Sequence, residues 1–462
     1  MNFPVEYKST KTIIQEGNHL SISHNIRNLI DIQDTNIFFE DNCVKKGQFK
    51  GIQCKYVTGK LTYDPTHCEN CGIKNIDYLV YKNGTEPSRI TIPISGITPT
   101  YLYLKKQRFF CKACEKSFTA KTPIVKKDCF ISEHTKTQVV IKSAEAQPIL
   151  SIARDCSVST STVQRLINQE AKTYKPHHKI LPDHLSFDEF KYAAGRMAFE
   201  YIDAETGDIL DILDRRDSYA IKNHFIANYS LQERSSVKTV TIDMNAGYVN
   251  VILEMFPYAK IIIDRFHLVQ LISRSMNQTR VNIMNTLRTS HGEDMKKYRR
   301  LKRYWKLLLK KESKLFHTEY KYYRLFGQRL EVNIVKEMLD YDENLKANYI
   351  FYQQLLRAMD NRDYKALEKI LENQSHHLLS KYMKTSSKTL RKHLPYIKNS
   401  FIYPYNNGRI EGINNKIKVL NRVAYGYRSF TNFKNRIILH FKLKPVSSGY
   451  KRRQNNTHSK VA

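Results

Sequence analysis

The sequence predicts a multidomain α/β protein, and three observations lead to this fold class. The chain has 462 residues, too many for one compact core, since a domain usually contains roughly 100–200 residues. Two C-x-x-C pairs bracket a β-rich stretch, and strand-like and helix-like runs alternate from His184 to Asp264. We expect seven segments: an N-terminal region at 1–50, a cysteine-rich β domain at 51–125, a helical domain at 126–180, the first part of an α/β core at 181–270, an all-helical insertion at 271–400, the final helix of the core at 401–443 and a basic disordered tail at 444–462.

Periodicity places the elements within these segments. An Asn-Gly turn at 83–84 separates two strand-like runs, and the pattern becomes helical from about Ser132 to Gln169. The runs LSFDEF, RMAFEYIDAETGDILDILD, VKTVTIDM and AKIIIDRF read as strands, the last with the apolar succession of a buried parallel strand. From about Leu268 to Ser400 the sequence is charged and helical with no strand signal, and Tyr403 to Leu443 reads as one helix with a basic face.

Charge narrows the class of partner. Lys and Arg number 76 against 44 Asp and Glu, a formal net charge of +32. Such an excess repels itself unless a polyanion is the usual partner, so we expect nucleic acid. A membrane surface is the alternative, but the basic residues do not gather beside an apolar anchor. No run of about 18 apolar residues is present, and the start, MNFPVEYKSTKT, lacks an apolar signal core, so we expect a cytoplasmic protein.

The cysteines predict a metal site. In a cytosolic chain the pairs Cys68-x-x-Cys71 and Cys111-x-x-Cys114 indicate metal binding, not disulfides. Each pair is expected at a turn, so that four thiolates converge on one structural Zn²⁺, as in a zinc ribbon. His67 is an alternative ligand, although four cysteines already fill the site. The remaining cysteines are interpreted as small buried hydrophobic residues: Cys43, Cys54, Cys129 and Cys156.

Residues 147–167 fit a helix-turn-helix. The first helix is predicted to bury Leu150, Ile152 and Ala153. Val158 lies in the turn and Ser159 caps the second helix, whose predicted buried residues are Val163, Leu166 and Ile167. An ordinary helical hairpin is the alternative, but the charge favours DNA contact. The exposed residues that suit base edges and phosphates are Ser161, Thr162, Gln164 and Arg165.

Three acidic residues occupy positions from which a sheet and a helix packed on it can present carboxylates to metal ions. Asp188 follows the apolar run of LSFDEF, Asp243 ends VKTVTIDM, and Glu411 lies in the helical segment NNGRIEGINNKIK. In an RNase-H-like sheet two aspartates lie side by side and a packed helix supplies the third carboxylate. Such a triad holds two divalent ions about 4 Å apart, and its oxygen ligands favour Mg²⁺ or Mn²⁺. Asp264 is an alternative to Asp243, and Glu189 to Asp188, although strand alternation points Glu189 away.

Four stretches resemble the bacterial insertion-sequence transposases of the ISL-three family: KKQRFFCKACEKSF, SFDEFK, VTIDMNAGYVNVILEMFPYAKIIIDRFHLVQ and NNGRIEGINNKIKVLNRVAYGYRSFTNFKNRI. The resemblance covers nearly the whole chain. It implies a zinc-binding N-terminal domain, a helix-turn-helix and an RNase-H-like DDE catalytic core interrupted by the helical insertion. Its triad carries over to Asp188, Asp243 and Glu411, while Asp264 and His267 belong to a shared motif and are secondary candidates.

The resemblance also implies an activity and its partners. We expect an active DNA transposase of the bacterial nucleoid that binds terminal inverted repeats, then cleaves and transfers strands into target DNA with Mg²⁺ or Mn²⁺. Joining two ends requires at least a dimer. The helix that carries Glu411 places Asn414, Asn415 and Lys418 on the same face, and further basic residues extend that surface: Arg409, Lys416, Arg422 and Arg428. A solvated basic face is the alternative, and Trp305 is expected to pack in a core.

Three other functions remain compatible with these residues. A DNA-binding regulator with an inactive core is disfavoured because all three carboxylates are present. A structure-specific nuclease that cuts without joining has the same core, so its products distinguish it. An RNA-binding zinc protein is expected to bind RNA at least as well as duplex ends.

Overall fold

A computed structural model describes residues 19–174, 180–244, 246–373 and 378–443. The chain divides into two compact units, one from the described parts of Met1–Lys175 and Val419–Ala462, the other from those of Pro176–Lys418. The predicted basic tail and residues 1–18 of the predicted N-terminal region lie outside the described residues. In the described part of the chain, no helix is both long and apolar enough to cross a membrane.

The first unit opens with one helix and a six-stranded sheet: α1 (His19–Leu29), β1 (Ile37–Phe38), β2 (Val44–Phe49), β3 (Ile52–Leu61), β4 (Val80–Ser95), β5 (Thr98–Cys111) and β6 (Lys116–Thr119). The strand order is β1-β3-β5-β4, with β2 paired to β3 and β6 paired to β5. Strands β3 and β5 run parallel, and the other pairs are antiparallel. Cys111 ends β5, where it pairs with Val80 of β4, and the other C-x-x-C pair lies in the connection that precedes β4.

The predicted Asn-Gly turn at 83–84 is wrong. Strand β4 continues through these residues, and its register against β5 shifts between Lys82 and Thr85. Gly84 has φ +73° there, a conformation that glycine adopts without a steric penalty and that suits a β-bulge. The chain reverses instead at Gly96, where φ is +81°. The same residue pair therefore marks a bulge in a long strand, because the strand on either side keeps its pairing.

Three helices follow the sheet: α2 (Glu133–Ala144), α3 (Ile149–Asp155) and α4 (Thr160–Ala171). Ser159 caps α4 by accepting from the backbone N–H of Thr162 at 3.2 Å, as expected. The prediction that Leu150 is buried is wrong, because this side chain is 61% exposed. Helix α3 begins at Ile149, and at 100° per residue Ile149, Ile152 and Ala153 share a stripe from which Leu150 is turned away.

The second unit is built on a five-stranded sheet with helices in its connections: β7 (His184–Ala193), β8 (Arg196–Asp203), β9 (Ile209–Leu213), α5 (Ser218–Asn228), α6 (Leu231–Ser236), β10 (Thr239–Ile242), α7 (Ala246–Met255) and β11 (Lys260–Ile263). The strand order is β11-β10-β7-β8-β9. Strands β11, β10 and β7 are parallel, whereas β8 and β9 are antiparallel additions. The run read as one strand from Arg196 is two strands joined by a turn at 204–208.

One face of this sheet carries the apolar core. Phe187, Phe199 and Tyr201 from β7 and β8 pack there with Phe225 of α5 and Phe256. Because successive side chains in a strand alternate, their neighbours Asp188, Glu200 and Ile202 belong to the opposite face. Thus Asp188 and Glu200 share the face of the sheet opposite Phe187, Phe199 and Tyr201.

In the described residues after β11 and before residue 403, 374–377 excepted, the α-helices and strands are α8 (Arg265–Thr286), α9 (Glu293–Arg303), α10 (Trp305–Leu309), β12 (Lys321–Tyr323), β13 (Gly327–Arg329), α11 (Glu331–Leu339), α12 (Glu343–Asp360), α13 (Tyr364–Glu372), α14 (Lys381–Lys392) and α15 (Leu394–Ile402). The strand-free prediction for 268–400 is wrong at the β12–β13 hairpin, since three residue pairs are too few to give a readable alternation. Trp305 is not in the core as expected. It is 36% exposed at the start of α10, where Leu307 and Leu308 are buried instead.

The last segment forms two helices, α16 (Gly408–Val423) and α17 (Phe430–Lys442), where the sequence predicts one. Tyr425 and Gly426 both have positive φ, which ends α16. Helix α17 packs against α2 and α4. Its Arg436 is buried and donates to the carbonyl oxygens of Glu145 at 2.8 Å and Gln147 at 3.0 Å, just beyond the end of α2. The sequence of residues 401–443 does not predict that α17 packs against α2 and α4.

Candidate active site and thiol cluster

The sheet of the second unit brings carboxylates to one edge. Asp243 directly follows β10 and Asp264 directly follows β11, and the paired ends of these strands are Ile242 and Ile263. Ser186 of β7 pairs with Thr241 of β10, so Asp188 and Asp243, each two residues further on, come level with each other. Parallel strands end at the same edge, which explains why residues distant in sequence meet. The charge of Asp243 indeed acts on Asp188 and raises its pKa.

Helix α8 supplies the next two groups. Asp264 is its N-cap, 4% exposed, and accepts from the backbone N–H of Phe266 at 3.1 Å. His267 follows one turn later, and its Nε2 lies 3.5 Å from Oε1 of Glu411 in the first turn of α16. Asp264, His267 and Glu411 each offer a ligand atom, and these atoms lie within 4.8 Å of one another. The arrangement can therefore hold a metal ion.

Asp188 is fixed by two hydrogen bonds. Its Oδ1 accepts from the backbone N–H of Glu189 at 2.8 Å, and its Oδ2 accepts from Nδ2 of Asn414 on α16 at 2.8 Å. Burial is the main influence on its carboxyl and, with the charge of Asp243, raises the pKa of Asp188 to about 6 despite these donors. An ionised carboxylate here is short of positive charge, which a divalent cation supplies.

The structure thus brings the predicted side chains together as two neighbouring sets. Asp264, His267 and Glu411 form the group within 4.8 Å, while Asp188 and Asp243 lie beside it but are not part of that group. The charge of His267 acts on Asp188 and lowers its pKa, which connects the two sets. The predicted alternative Glu189 points to the other face, where it pairs with Arg216 and accepts from the hydroxyl of Tyr248 at 2.9 Å.

Sequence reasoning missed two side chains of this face. Asn414 was expected to face DNA, but it is 5% exposed and holds Asp188. Glu200 of β8 is fully buried directly opposite Asp188. Burial and the charge of Asp188 raise the pKa of Glu200 well above its usual value. The available signal was a single acidic residue within the apolar run MAFEYI.

The four predicted thiols meet in the first unit. The Sγ atoms of Cys68 and Cys114 are 3.8 Å apart, and those of Cys71 and Cys111 are 3.9 Å apart. All four lie within 4.8 Å of one another and are free thiols. Burial raises the pKa of Cys68, but the backbone N–H groups of Cys71 and Asn70 outweigh it and lower the pKa to about 7. His67 is not a member of the group and hydrogen-bonds Thr66 instead.

The predicted DNA-contacting residues lie on two helices. On α4, Ser161 and Arg165 are exposed, while Thr162 and Gln164 are half-buried. Ser161 and Thr162 both hydrogen-bond Oγ of Ser159 at 2.9 Å, so they also stabilise the start of the helix. On α16 the predicted DNA-contacting residues are all exposed: Arg409, Asn415, Lys416, Lys418 and Arg422. Lys418 and the other cationic side chains therefore lie on the same helix as Glu411.

Comparison with known families assigns a class to this site. A family model described as a transposase, of the ISL-three DDE type, matches residues 185–437. The match covers more than half of the chain and contains every carboxylate considered above as well as His267. It defines a DNA transposase, a class of enzyme that uses divalent metal ions. The chain belongs to the ISL-three family of DDE transposases.

Two individual proteins are similar to parts of the chain. The transposase for insertion sequence element IS1001 of Bordetella parapertussis is 24% identical over 343 residues, which are 71% of this chain and 78% of that protein. A protein of Lactococcus lactis subsp. lactis named ATP-dependent protease is 43% identical over 109 residues, 24% of this chain. The chain spans 34% of that protein's length, too small a share to carry an activity to this chain.

Proposed function

We propose that this transposase binds the terminal inverted repeats of an insertion sequence and performs metal-dependent strand cleavage and strand transfer. Asp188, Asp243 and Glu411 are the metal-binding carboxylates of this proposal. The observation that carries it is the convergence of acidic groups from β7, the ends of β10 and β11, and α16 on one edge of a mixed sheet. The strand order of this sheet supports an RNase-H-like core. Helices α8–α15 lie in the sequence between the last strand of the sheet and α16, which supports a helical insertion in that core.

The donor set fits Mg²⁺ or Mn²⁺, since carboxylate oxygens predominate. Asp188, Asp243 and Glu411 would hold these ions, which when bound would supply Lewis-acid stabilisation of the attacking and leaving oxygens of a phosphodiester. Asn414 orients Asp188 through its 2.8 Å hydrogen bond. His267 orients Glu411 from 3.5 Å, and Asp264, which caps α8, fixes the turn that carries His267. These contacts keep the carboxylates in place before DNA arrives.

The thiol cluster is proposed to hold a structural Zn²⁺. Four sulfur atoms bound tetrahedrally at about 2.3 Å from one ion stand about 3.8 Å apart, which agrees with the separations of 3.8 and 3.9 Å. Because four cysteines complete the coordination, no position is left for a substrate. We assign this zinc ribbon to the support of DNA binding and not to catalysis.

Sequence recognition is assigned to α3 and α4 as a helix-turn-helix. The turn between them is short, and Ser157 in it has φ +54°. The candidates for base and phosphate contact are Ser161, Thr162, Gln164 and Arg165. Arg409, Asn415, Lys416, Lys418 and Arg422 are proposed to hold phosphates beside the carboxylates, which suits a net charge of +32. Strand transfer with two ends requires at least a homodimer when the ends are joined.

Cleavage of a labelled duplex carrying the flanking element's inverted repeat tests this proposal. In Mg²⁺ we expect the wild-type chain to cut at the repeat end, and Asp188→Ala, Asp243→Ala and Glu411→Ala to bind without cutting. Asp340→Ala is the matched control, since Asp340 is an exposed carboxylate on the helical segment. If the wild-type chain binds but never cuts, or if Glu411→Ala cuts normally, the proposal fails and a DNA-binding regulator explains the chain better.

A further inference from the structure

Glu200 is a buried carboxylate without a hydrogen-bond partner. It lies in the middle of β8 and is 0% exposed. Among the described residues, neither of its side-chain oxygens has a donor within hydrogen-bond reach. A carboxylate removed from water in this way costs much free energy unless a cation or donors compensate it. Most buried polar groups are satisfied, so an exception of this size calls for a specific cause.

The register of the sheet points Glu200 at the candidate active site. Strands β7 and β8 are antiparallel, and Asp188 pairs directly with Glu200. Residues opposite each other in such a pair have their Cβ atoms roughly 4.5–5.5 Å apart on the same face. Phe199 and Tyr201, on either side of Glu200, belong to the aromatic core on the other face. Glu200 therefore cannot turn to the core without breaking the alternation of β8.

Neither protonation state of Glu200 is satisfied by the protein alone. An ionised Glu200 would lie directly opposite the carboxylate of Asp188 on the same face of the sheet. A neutral carboxylic acid would still need an acceptor for its proton, and the described residues supply none. A divalent cation beside Asp188 removes both difficulties, since it accepts both oxygens as ligands and cancels the repulsion.

We propose that Glu200 is a further ligand of the divalent ion held at Asp188. The inference rests on the proposed function, since it takes the ion from there and adds one oxygen donor from β8. Magnesium and manganese prefer six oxygen ligands, and a glutamate reaches one methylene further than an aspartate. The ion thereby gains a fixed donor from the antiparallel strand of the sheet, whereas the proposed triad uses the parallel strands and a helix.

The test measures Mn²⁺ binding to the full chain without DNA. Binding is measured by titration calorimetry and by electron paramagnetic resonance of free Mn²⁺. The protein is first loaded with one equivalent of Zn²⁺ to occupy the thiol cluster. We expect Glu200→Gln to weaken Mn²⁺ binding at least about tenfold, and Asp188→Asn to weaken it more. Asp211→Asn is the matched control. Asp211 is 6% exposed on β9 of the same sheet, but it pairs with Tyr201 on the aromatic face.

The outcomes separate this inference from the proposed function. If the wild-type chain binds Mn²⁺, Asp188→Asn loses it and Glu200→Gln binds as the wild type does, the inference is overturned and the proposed metal site stands. If the wild-type chain binds no Mn²⁺ at millimolar concentration, both fall. Glu200→Leu guards against a folding artefact, since it removes the polar atoms at similar volume. Glu200→Leu should raise the metal-free melting temperature and remove the ligand that β8 supplies for Mn²⁺. If Glu200→Gln and Glu200→Leu both unfold without metal, the side chain has a structural partner and the inference is wrong.

Discussion

The thiol cluster and the carboxylate site are both candidate metal centres, but they are assembled differently. The four thiols come from two C-x-x-C pairs, one in the connection between β3 and β4 and one between the end of β5 and β6, with matched separations of 3.8 and 3.9 Å. The carboxylate site draws on β7, β10, β11, α8 and α16, and its two sets of ligands are not within one 4.8 Å group. A closed site is complete without substrate, whereas an open one leaves coordination positions for DNA.

Loss of the thiol cluster should have the greatest consequence for the folded chain. Cys68→Ser should release zinc and unfold the sheet of the first unit, since the apparent binding free energy of a structural Zn²⁺ is on the order of 10 kcal/mol. Zinc content by colorimetric assay and circular dichroism during heating measure this. Cys129→Ser, which changes a free thiol outside the cluster, is the control. Normal melting of Cys68→Ser would show that the cluster does not hold the fold.

The carboxylate site should respond in the opposite way. Asp188→Asn should reduce strand cleavage by about 10³-fold or more, since metal-assisted charge stabilisation contributes several kcal/mol. It should not lower the metal-free melting temperature, because burial and Asp243 already disfavour the ionised carboxylate. Gel assays of cleavage and thermal melting of the same samples measure both effects. A clear fall in melting temperature would make Asp188 a structural residue and remove the contrast with Cys68.

The contact between His267 and Glu411 predicts a smaller loss. His267→Ala should reduce cleavage about 10- to 100-fold, as expected for a residue that orients a metal ligand. His267→Gln should recover part of the rate, since its amide can still donate toward Glu411. Initial rates at saturating DNA and at several Mn²⁺ concentrations measure this, with a shift in the Mn²⁺ requirement expected. Unchanged rates and Mn²⁺ requirement in His267→Ala would remove the positioning role.

The two metal sites also differ in how far the sequence predicts them, because a sequence pattern reports mainly on residues close together in the chain. The thiol cluster was predictable because each ligand pair lies within four residues. Asp188 was predictable as an acid after an apolar strand run, Asp243 as a strand-end acid and Glu411 as a helical acid, and all three remain proposals as catalytic residues. Glu200 and Asn414 were not predictable in their places, because register across β7–β8 and the packing of α16 are set by tertiary contacts. The β12–β13 hairpin was missed for the opposite reason, since six residues carry too little pattern.

Arg436 predicts a moderate effect on stability within the first unit. Its guanidinium is buried and donates to the carbonyl oxygens of Glu145 and Gln147. Arg436→Leu should lower the free energy of unfolding by about 2 kcal/mol, because these carbonyl groups lose charged donors. Denaturant titration measures it, and Arg428→Leu, at an exposed arginine, is the control. Equal stability of the two variants would mean that α17 does not depend on this contact.

The last and most local effect concerns sequence recognition by α4. Arg165→Ala should weaken binding to the inverted repeat by about 1–3 kcal/mol and reduce discrimination against an unrelated duplex. Arg154→Ala removes the same charge from an exposed position on α3 and should weaken both duplexes equally. Fluorescence anisotropy at fixed salt measures the two affinities. If both variants lose affinity uniformly, α4 contacts phosphates and does not read bases.

A strand-transfer assay distinguishes a carboxylate site that cuts and joins DNA from one that only cuts it. The full chain is incubated in Mg²⁺ with a labelled duplex whose inverted-repeat end is already cut and with a target plasmid. We expect labelled DNA joined covalently to the target with the wild-type chain, and none with Glu411→Ala, although both bind the duplex. Cleavage of intact repeats by the wild-type chain without any joined product would contradict the account and identify a nuclease instead.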